Sequence, residues 1–455
     1  MIRSKFKRLG SGRFQYFLIC SFLLACLLCG CNSHSNRNDE KKGESYLSLT
    51  GNGAWCWFSD PRAIYYKGKY SRTYAGWVDS VGNIVVGLYD HHSKRIETTV
   101  LHQNLEVDDH DNPSLIFDRN GKLMVFYTKH AESDPIYLAK AKNAESISEW
   151  EPLEELKLND TIAYKGLSNT YTYTNICQLA NEKDKLYLFW RGVDFKPNFS
   201  ISLNNGRTWA QGKILILPER IYKNRRPYIK IASNNKDVIH FAFTDGHPNA
   251  EPTNSIYYAK YHDGVLHKAS GEKIMDWSAL PLQPQNSDVV YDATTTKEKA
   301  WIWDVAENKD GNPVLVYSRF PNDSSHVYYY SIWDNNQWNH YRLKDSGRWF
   351  PQTPDGTIEP EPNYSGGIAL DHADPSVIYL SASKNGIFEI EKWITPNKGK
   401  DWSVENITSH SEYDNVRPVA IRNHTGEGSP GVLWLNVKKY IHYTDYQTSV
   451  KLKIN

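Results

Sequence analysis

Gly82-Asn83-Ile84-Val85-Val86-Gly87-Leu88-Tyr89 is a polar turn that runs into a block of apolar, largely β-branched residues and ends on an aromatic. The unit returns as Gly121-Lys122-Leu123-Met124-Val125-Phe126-Tyr127 and Lys185-Leu186-Tyr187-Leu188-Phe189-Trp190. Val238-Ile239-His240-Phe241-Ala242-Phe243 and Gly311-Asn312-Pro313-Val314-Leu315-Val316-Tyr317 follow, then Ser376-Val377-Ile378-Tyr379-Leu380 and Gly431-Val432-Leu433-Trp434-Leu435. Continuous apolar runs of this length read as strands buried on both faces. Their spacing of roughly 40 to 75 residues suits one four-stranded unit each, with insertions. The intervening segments lack helical periodicity, which argues against a parallel α/β fold. Seven such units about one axis make an all-β, seven-bladed β-propeller. A β-sandwich, or a pair of them, is the competing arrangement.

Two turns support the propeller. Ser202-Leu203-Asn204-Asn205-Gly206-Arg207-Thr208-Trp209 follows the Asp-box pattern S-x-D-x-G-x-T-W with Asn in the Asp place, and Thr395 to Trp402 is a more degenerate copy. The pattern encodes a hairpin turn: the Asx side chain caps the backbone, Gly takes positive φ, and Trp packs beneath. Such a turn is structural and says nothing of substrate.

The N-terminus reads differently from the rest. Arg3, Lys5, Lys7 and Arg8 precede an apolar stretch from Phe17 to Leu28, and Leu28-Cys29-Gly30-Cys31 follows. This order predicts a secretory signal over residues 1–30 with Cys31 as the lipidated first residue of the mature chain, the alternatives being a plain cleaved signal or an uncleaved anchor. The apolar stretch is short for a spanning helix. A polar tether then occupies residues 31–45, ahead of the propeller domain at 46–455. The chain is thus expected to be an exported lipoprotein of the outer membrane, cell surface or periplasm, tied to the membrane by its lipid and monomeric. Four of the six cysteines fall in the signal region; Cys56 and Cys177 remain, as a disulfide or as two buried thiols. The formal net charge of +1 offers no global field for nucleic acid. The 15 Trp and 30 Tyr suit pleated sheets and also stack on sugar rings.

Polar groups follow the recurring runs. Tyr89-Asp90-His91-His92, Lys129-His130, Arg191, Asp245-Gly246-His247 and Ser318-Arg319 stand where a propeller gathers side chains into an axial pocket, and Asp108-Asp109-His110-Asp111-Asn112-Pro113 leads into the second unit. Histidine exchanges protons near neutral pH, so His91 and His110 are candidates for acid–base work. The alternative is that they are hydrogen-bonded structural histidines in turns.

Gly53 to Ala63 (GAWCWFSDPRA) resembles the opening of the BNR-4 repeat family of secreted propellers. So do Tyr171 to Asn175 (YTYTN), Phe189 to Gly192 (FWRG), Arg226 to Lys230 (RPYIK), Phe243 to Pro248 (FTDGHP) and Gly366 to His372 (GGIALDH), in consistent order. The family includes ulvan lyases and lyases that cut between rhamnose and glucuronate. The resemblance implies a polysaccharide lyase acting on an anionic, uronate-containing glycan. It also implies a site of two histidines, a tyrosine and an arginine, matched here by His91, His110, Tyr173 and Arg191. β-Elimination at a uronate needs a carboxylate neutraliser, a base for the C5 proton and an acid for the leaving O4, and these residue types supply all three without a cofactor. His91 and Tyr173 are the expected proton-transfer pair, with His110 and Arg191 on the carboxylate; His110 and His91 could exchange roles. His92 and Tyr171 are equally placed neighbours of His91 and Tyr173. Arg226, Tyr228 and His247 are candidates for holding neighbouring sugars or sulfate, and Tyr228 and His247 could equally be structural. Arg62 sits in a family-like motif and could equally brace ring closure. A bound Ca²⁺ or Zn²⁺ is compatible with the His and Asp available, although no ligand set stands out. A sialidase-like hydrolase would need an Arg-Ile-Pro motif that is missing. A non-catalytic glycan-binding lipoprotein would use the same aromatic, basic pocket.

Overall fold

The computed structural model describes residues 46–454 apart from 220–224, 323–324, 355, 360 and 425–429; the signal, Cys31 and tether expectations lie outside the described residues. The described chain forms seven antiparallel sheets in sequence order, the blades of a seven-bladed propeller. Blade 1 takes Ala63–Lys67, Ser71–Val78, Ile84–Asp90 and Ile96–His102 as its strands. Blades 2 to 6 begin at Ser114–Phe117, Thr172–Gln178, Ile229–Ser233, Lys299–Glu307 and Ile368–Leu370. Blade 7 is composite. Asp414–Ala420, Pro430–His442 and Asp445–Ile454 come from the C-terminus, and Tyr46–Thr50 adds the outermost strand, pairing Tyr46 with Lys453. The ring is therefore closed by hydrogen bonds between the two ends of the described chain.

Six of the seven apolar runs are the second strands of their blades, such as Leu123–Tyr127 and Leu186–Arg191, every residue of which is buried. A second strand has a neighbour in its own sheet on each side and another blade against each face, so it tolerates no polar side. Blade 1 departs from this. Its second strand is Ser71–Val78, and the run Ile84–Asp90 is the third. That difference decides where His91 points.

Most first strands are shorter than the second strands beside them, and all face the axis, which the segment Gly53 to Arg62 fills. Its Cys56 amide donates to the Asp109 carbonyl (2.9 Å), Trp55 Nε1 to that of Arg417 (3.2 Å), and Trp57 Nε1 to that of Ile302 (3.2 Å). The Asp60 amide donates to Asn175 Oδ1 (3.0 Å), and the Asp60 carboxylate pairs with Arg62 (3.1 Å) and with Lys230. The plug thus touches blades 2, 3, 4, 5 and 7, and burying its Trp55, Trp57 and Phe58 contributes about 1.5–3 kcal/mol per side chain. Arg62 braces this plug. Cys56 and Cys177 are both free and buried, and burial pushes each thiol up to about 12.

Both Asp-box turns form as read. In the first, Gly206 N donates to Ser202 Oγ (2.9 Å) and Thr208 N to Asn204 Oδ1 (2.9 Å), with Gly206 at φ +77°. In the second, Gly399 N donates to Thr395 Oγ1 (2.7 Å) and Asp401 N to Asn397 Oδ1 (2.8 Å). Each joins the third strand of its blade to the fourth.

Candidate active site

Second strands all run toward one face of the ring, and first strands start there. Residues just after the former and just before the latter therefore converge around the axis. His110 lies in a single 3₁₀ turn, Asp109–Asp111, ahead of blade 2, and His130 follows that blade's second strand. Asp108 caps the turn, accepting from the His110 amide at 2.9 Å. Its two carboxylate oxygens meet His110 Nδ1 at 2.5 Å and His130 Nδ1 at 2.8 Å. The two imidazoles stack at 4.1 Å with an interplanar angle of 16°. A carboxylate accepts only, so each Nδ1 carries its proton toward Asp108 and each Nε2 presents a lone pair on the far side. Burial and the neighbouring His110 push His130 down to about 4, which keeps it neutral at ordinary pH.

Tyr173 stands next to the pair, its ring 5.6 Å from His110 and 6.3 Å from His130. It sits at φ +61° in a bulge of the first strand of blade 3, where the register to the second strand shifts between Thr172 and Asn175. A left-handed tyrosine costs about 1–3 kcal/mol and persists only where its surroundings enforce it. Here Asn175 Nδ2 donates to its carbonyl at 3.0 Å, and Phe58 packs on its ring at 5.4 Å. The bulge turns the phenol into the pocket while Tyr171 stays in the wall, stacked on Trp190 and accepting from the Asn159 amide at 2.8 Å. Burial, reinforced by Tyr228, holds the Tyr173 phenol well above its ordinary pKa, so it is a proton donor at neutral pH.

Arg191 ends the second strand of blade 3. Its guanidinium lies 4.6 Å over the Tyr173 ring and donates to Tyr228 Oη at 3.0 Å and, at a long 3.5 Å, to Thr172 Oγ1. It is 92 % buried by accessible surface (8 % exposed), pairs with no carboxylate among the described residues, and its Nε has no hydrogen-bond partner. Burying a cation without an anion is costly, and here the Tyr173 and Tyr228 rings offset part of that cost while the guanidinium stays able to accept an anion.

Tyr228 and His247 join this cluster, with His247 5.4 Å from the Tyr228 ring and 4.5 Å from Trp301. Burial, then Arg191 and His110, lower His247 to about 3. Arg226 lies at the exposed rim, 3.9 Å over the Phe195 ring.

His91 does not join them. Its strand is the third of blade 1 and runs opposite to the second strands, so it exits on the other face, in the position where blades 3 and 6 carry Asp boxes. His91 Nε2 bonds Thr73 Oγ1 at 2.8 Å, and its ring packs on Tyr65 and Tyr89 at 5.4 and 5.0 Å. It is a structural histidine, and His92 beside it is exposed. The second pocket histidine is His130, which follows an apolar run as Arg191 and His247 do. Tyr443, 4.6 Å from the His110 ring, and Glu361, 4.0 Å from His247 Nε2, complete the walls from loops that carry no sequence signal.

Asp108, His110 and His130 are the grouping among the described residues that could hold a metal, with ligand atoms within 4.8 Å of one another. Both Asp108 oxygens already accept from Nδ1 atoms, so an ion would have to displace those bonds. A separate cavity of about 150 Å³ lies toward the opposite end of the axis, lined by Asp60, Gln178, His372 and Arg422 among others.

Seven blades, Asp-box turns and a pocket fed by strand ends define a repeat propeller. The model of the BNR repeat-containing family matches residues 72–346, and the chain belongs to that family. Two solved structures of an ulvan lyase of family PL25 are similar to it in fold. One aligns with a TM-score of 0.65 at 15% identity, covering 90% of this chain and 94% of that one. The other, bound to -[GlcA(1-4)Rha3S]-, aligns with a TM-score of 0.66 at 15% identity, covering 90% and 95%. No curated protein matches the sequence.

Proposed function

We propose that this propeller is a polysaccharide lyase that cleaves uronate-containing glycans by β-elimination. The observation that carries the reading is Arg191, a buried cation with no carboxylate partner among the described residues, beside a stacked histidine pair whose Nε2 atoms are free of Asp108. The uronate carboxylate seats on Arg191, which withdraws charge from C5 and acidifies its proton. His110, the closer imidazole to Tyr173, takes that proton on Nε2 while Asp108 stabilises the imidazolium. Tyr173 donates its phenolic proton to the departing O4, the C4–O4 bond breaks, and a C4–C5 double bond remains. His130 stays neutral, stacked on His110, and shares Asp108 with it. The ulvan lyase of similar fold that binds a glucuronate–rhamnose oligosaccharide supports a uronate polymer as ligand. No metal is required by this scheme.

Export and lipidation at Cys31 complete the proposal and would place the enzyme where extracellular polysaccharide is met. The test is ultraviolet absorbance of the unsaturated uronate, read on ulvan, rhamnose–glucuronate polymers and glycosaminoglycans. The wild type produces it on at least one, and His110→Ala and Tyr173→Phe abolish it while retaining the native near-ultraviolet circular dichroism. Binding without absorbance would identify a lectin-like propeller instead.

A further inference from the structure

Arg191 reaches the pocket from blade 3; Glu361 reaches it from the connection between blades 5 and 6. The Glu361 carboxylate has one ion-pair neighbour among the described residues, His247 Nε2 at 4.0 Å. That ring is pushed down to about 3 by burial and by Arg191, so it supplies Glu361 no cation at neutral pH, and burial raises the Glu361 carboxyl above its ordinary pKa. Glu359 adds a second carboxylate to the same wall, tied down by the Thr353 hydroxyl and by the Glu361 amide at 3.0 Å. Among the described residues the pocket is therefore bipolar, with a cation that has no carboxylate partner on one wall and acids that have no arginine or lysine partner on another. His247 and Tyr228 lie between them.

From this we infer that Glu361 is a specificity residue that makes the subsite beside the uronate select an unsulfated, hydroxyl-bearing sugar. The inference rests on the reading of Arg191 as the uronate carboxylate site. A sugar hydroxyl donates a hydrogen bond to a carboxylate. A sulfate ester has acceptors only and a permanent negative charge, so the same carboxylate repels it. Placing like charges together at a partly desolvated wall is an effective way to reject a competing ligand.

The test compares sulfated ulvan with the same ulvan after solvolytic desulfation, matched in length, using the full chain and Glu361→Gln. The wild type is expected to show kcat/KM at least ~10-fold higher on the desulfated polymer. Glu361→Gln is expected to shrink that ratio at least ~5-fold, chiefly by gaining on the sulfated one. A wild type that prefers the sulfated polymer overturns the inference, as does a ratio unmoved by Glu361→Gln. If neither polymer yields unsaturated product, the elimination reading fails instead. Tryptophan-fluorescence titration with the two polymers then decides the charge preference by itself, and equal affinities, or tighter binding of the sulfated form, overturn it. Should Glu361→Gln not fold, Glu361→Ala serves in its place, and the wild-type ratio alone remains decisive.

Discussion

The carboxylate of Asp108 has two oxygens, and each is committed to one imidazole Nδ1. Its own pKa lies well below the usual range, since the two imidazoles outweigh the effect of burial. It therefore fixes the tautomer of each neutral ring, with the proton on Nδ1, the role a carboxylate plays behind many catalytic histidines. His130→Ala removes one ring of the stack and should lower kcat/KM on the active polymer by at least ~10²-fold. His91→Ala should keep activity within about 2-fold and cost about 1 kcal/mol in urea denaturation, the worth of its Thr73 hydrogen bond. At this scale the sequence brings His110, Arg191, Tyr228 and His247 toward the pocket because each adjoins a strand end or family motif. The choice of Tyr173 over Tyr171 was not legible, because it depends on a bulge that shifts the alternation of one strand.

Short elements do the positioning. The 3₁₀ turn carrying His110 is three residues long and could not hold itself. Asp109 anchors it by accepting from Arg417 Nη1 (2.5 Å) and Tyr440 Oη (2.6 Å), both from blade 7. Arg417 also donates to the Trp55 carbonyl, so the turn, the axial plug and the last blade share one buried cation. Arg417→Met leaves Asp109 buried with the Tyr440 hydroxyl but without its arginine. It should destabilise the protein by about 3–5 kcal/mol, read by urea denaturation, and depress activity through a misplaced His110. Second strands were the readable elements, since burial on both faces writes an unbroken apolar run. Blade 1 misled because its third strand carries the same composition, and composition does not reveal strand direction. Reversing that direction moves His91 to the other face.

For the whole molecule, the axis is held by charge as well as by aromatic packing. Burial alone would raise Asp60, yet Arg62 and Lys230 hold it at about 2. A carboxylate depressed from an ordinary 3.8 stabilises the fold above about pH 4, and that stability drains away as pH falls through about 2. The contribution is about 2 kcal/mol. Asp60→Asn should therefore lower Tm at pH 7, and the gap to the wild type should narrow below pH 3 in a thermal-melt series. The blade count was legible because seven runs repeat. The composite closure was not, since pairing between distant ends leaves no local pattern.

That closure also sets an orientation. Tyr46 pairs with Lys453, at the end of a strand that begins beside Tyr443 on the pocket side, so the chain enters blade 7 from the face away from the pocket. Blade 7 is in that sense a clasp: until Tyr46–Thr50 lies along Asp445–Ile454, the propeller is an open arc whose last blade lacks its outer strand.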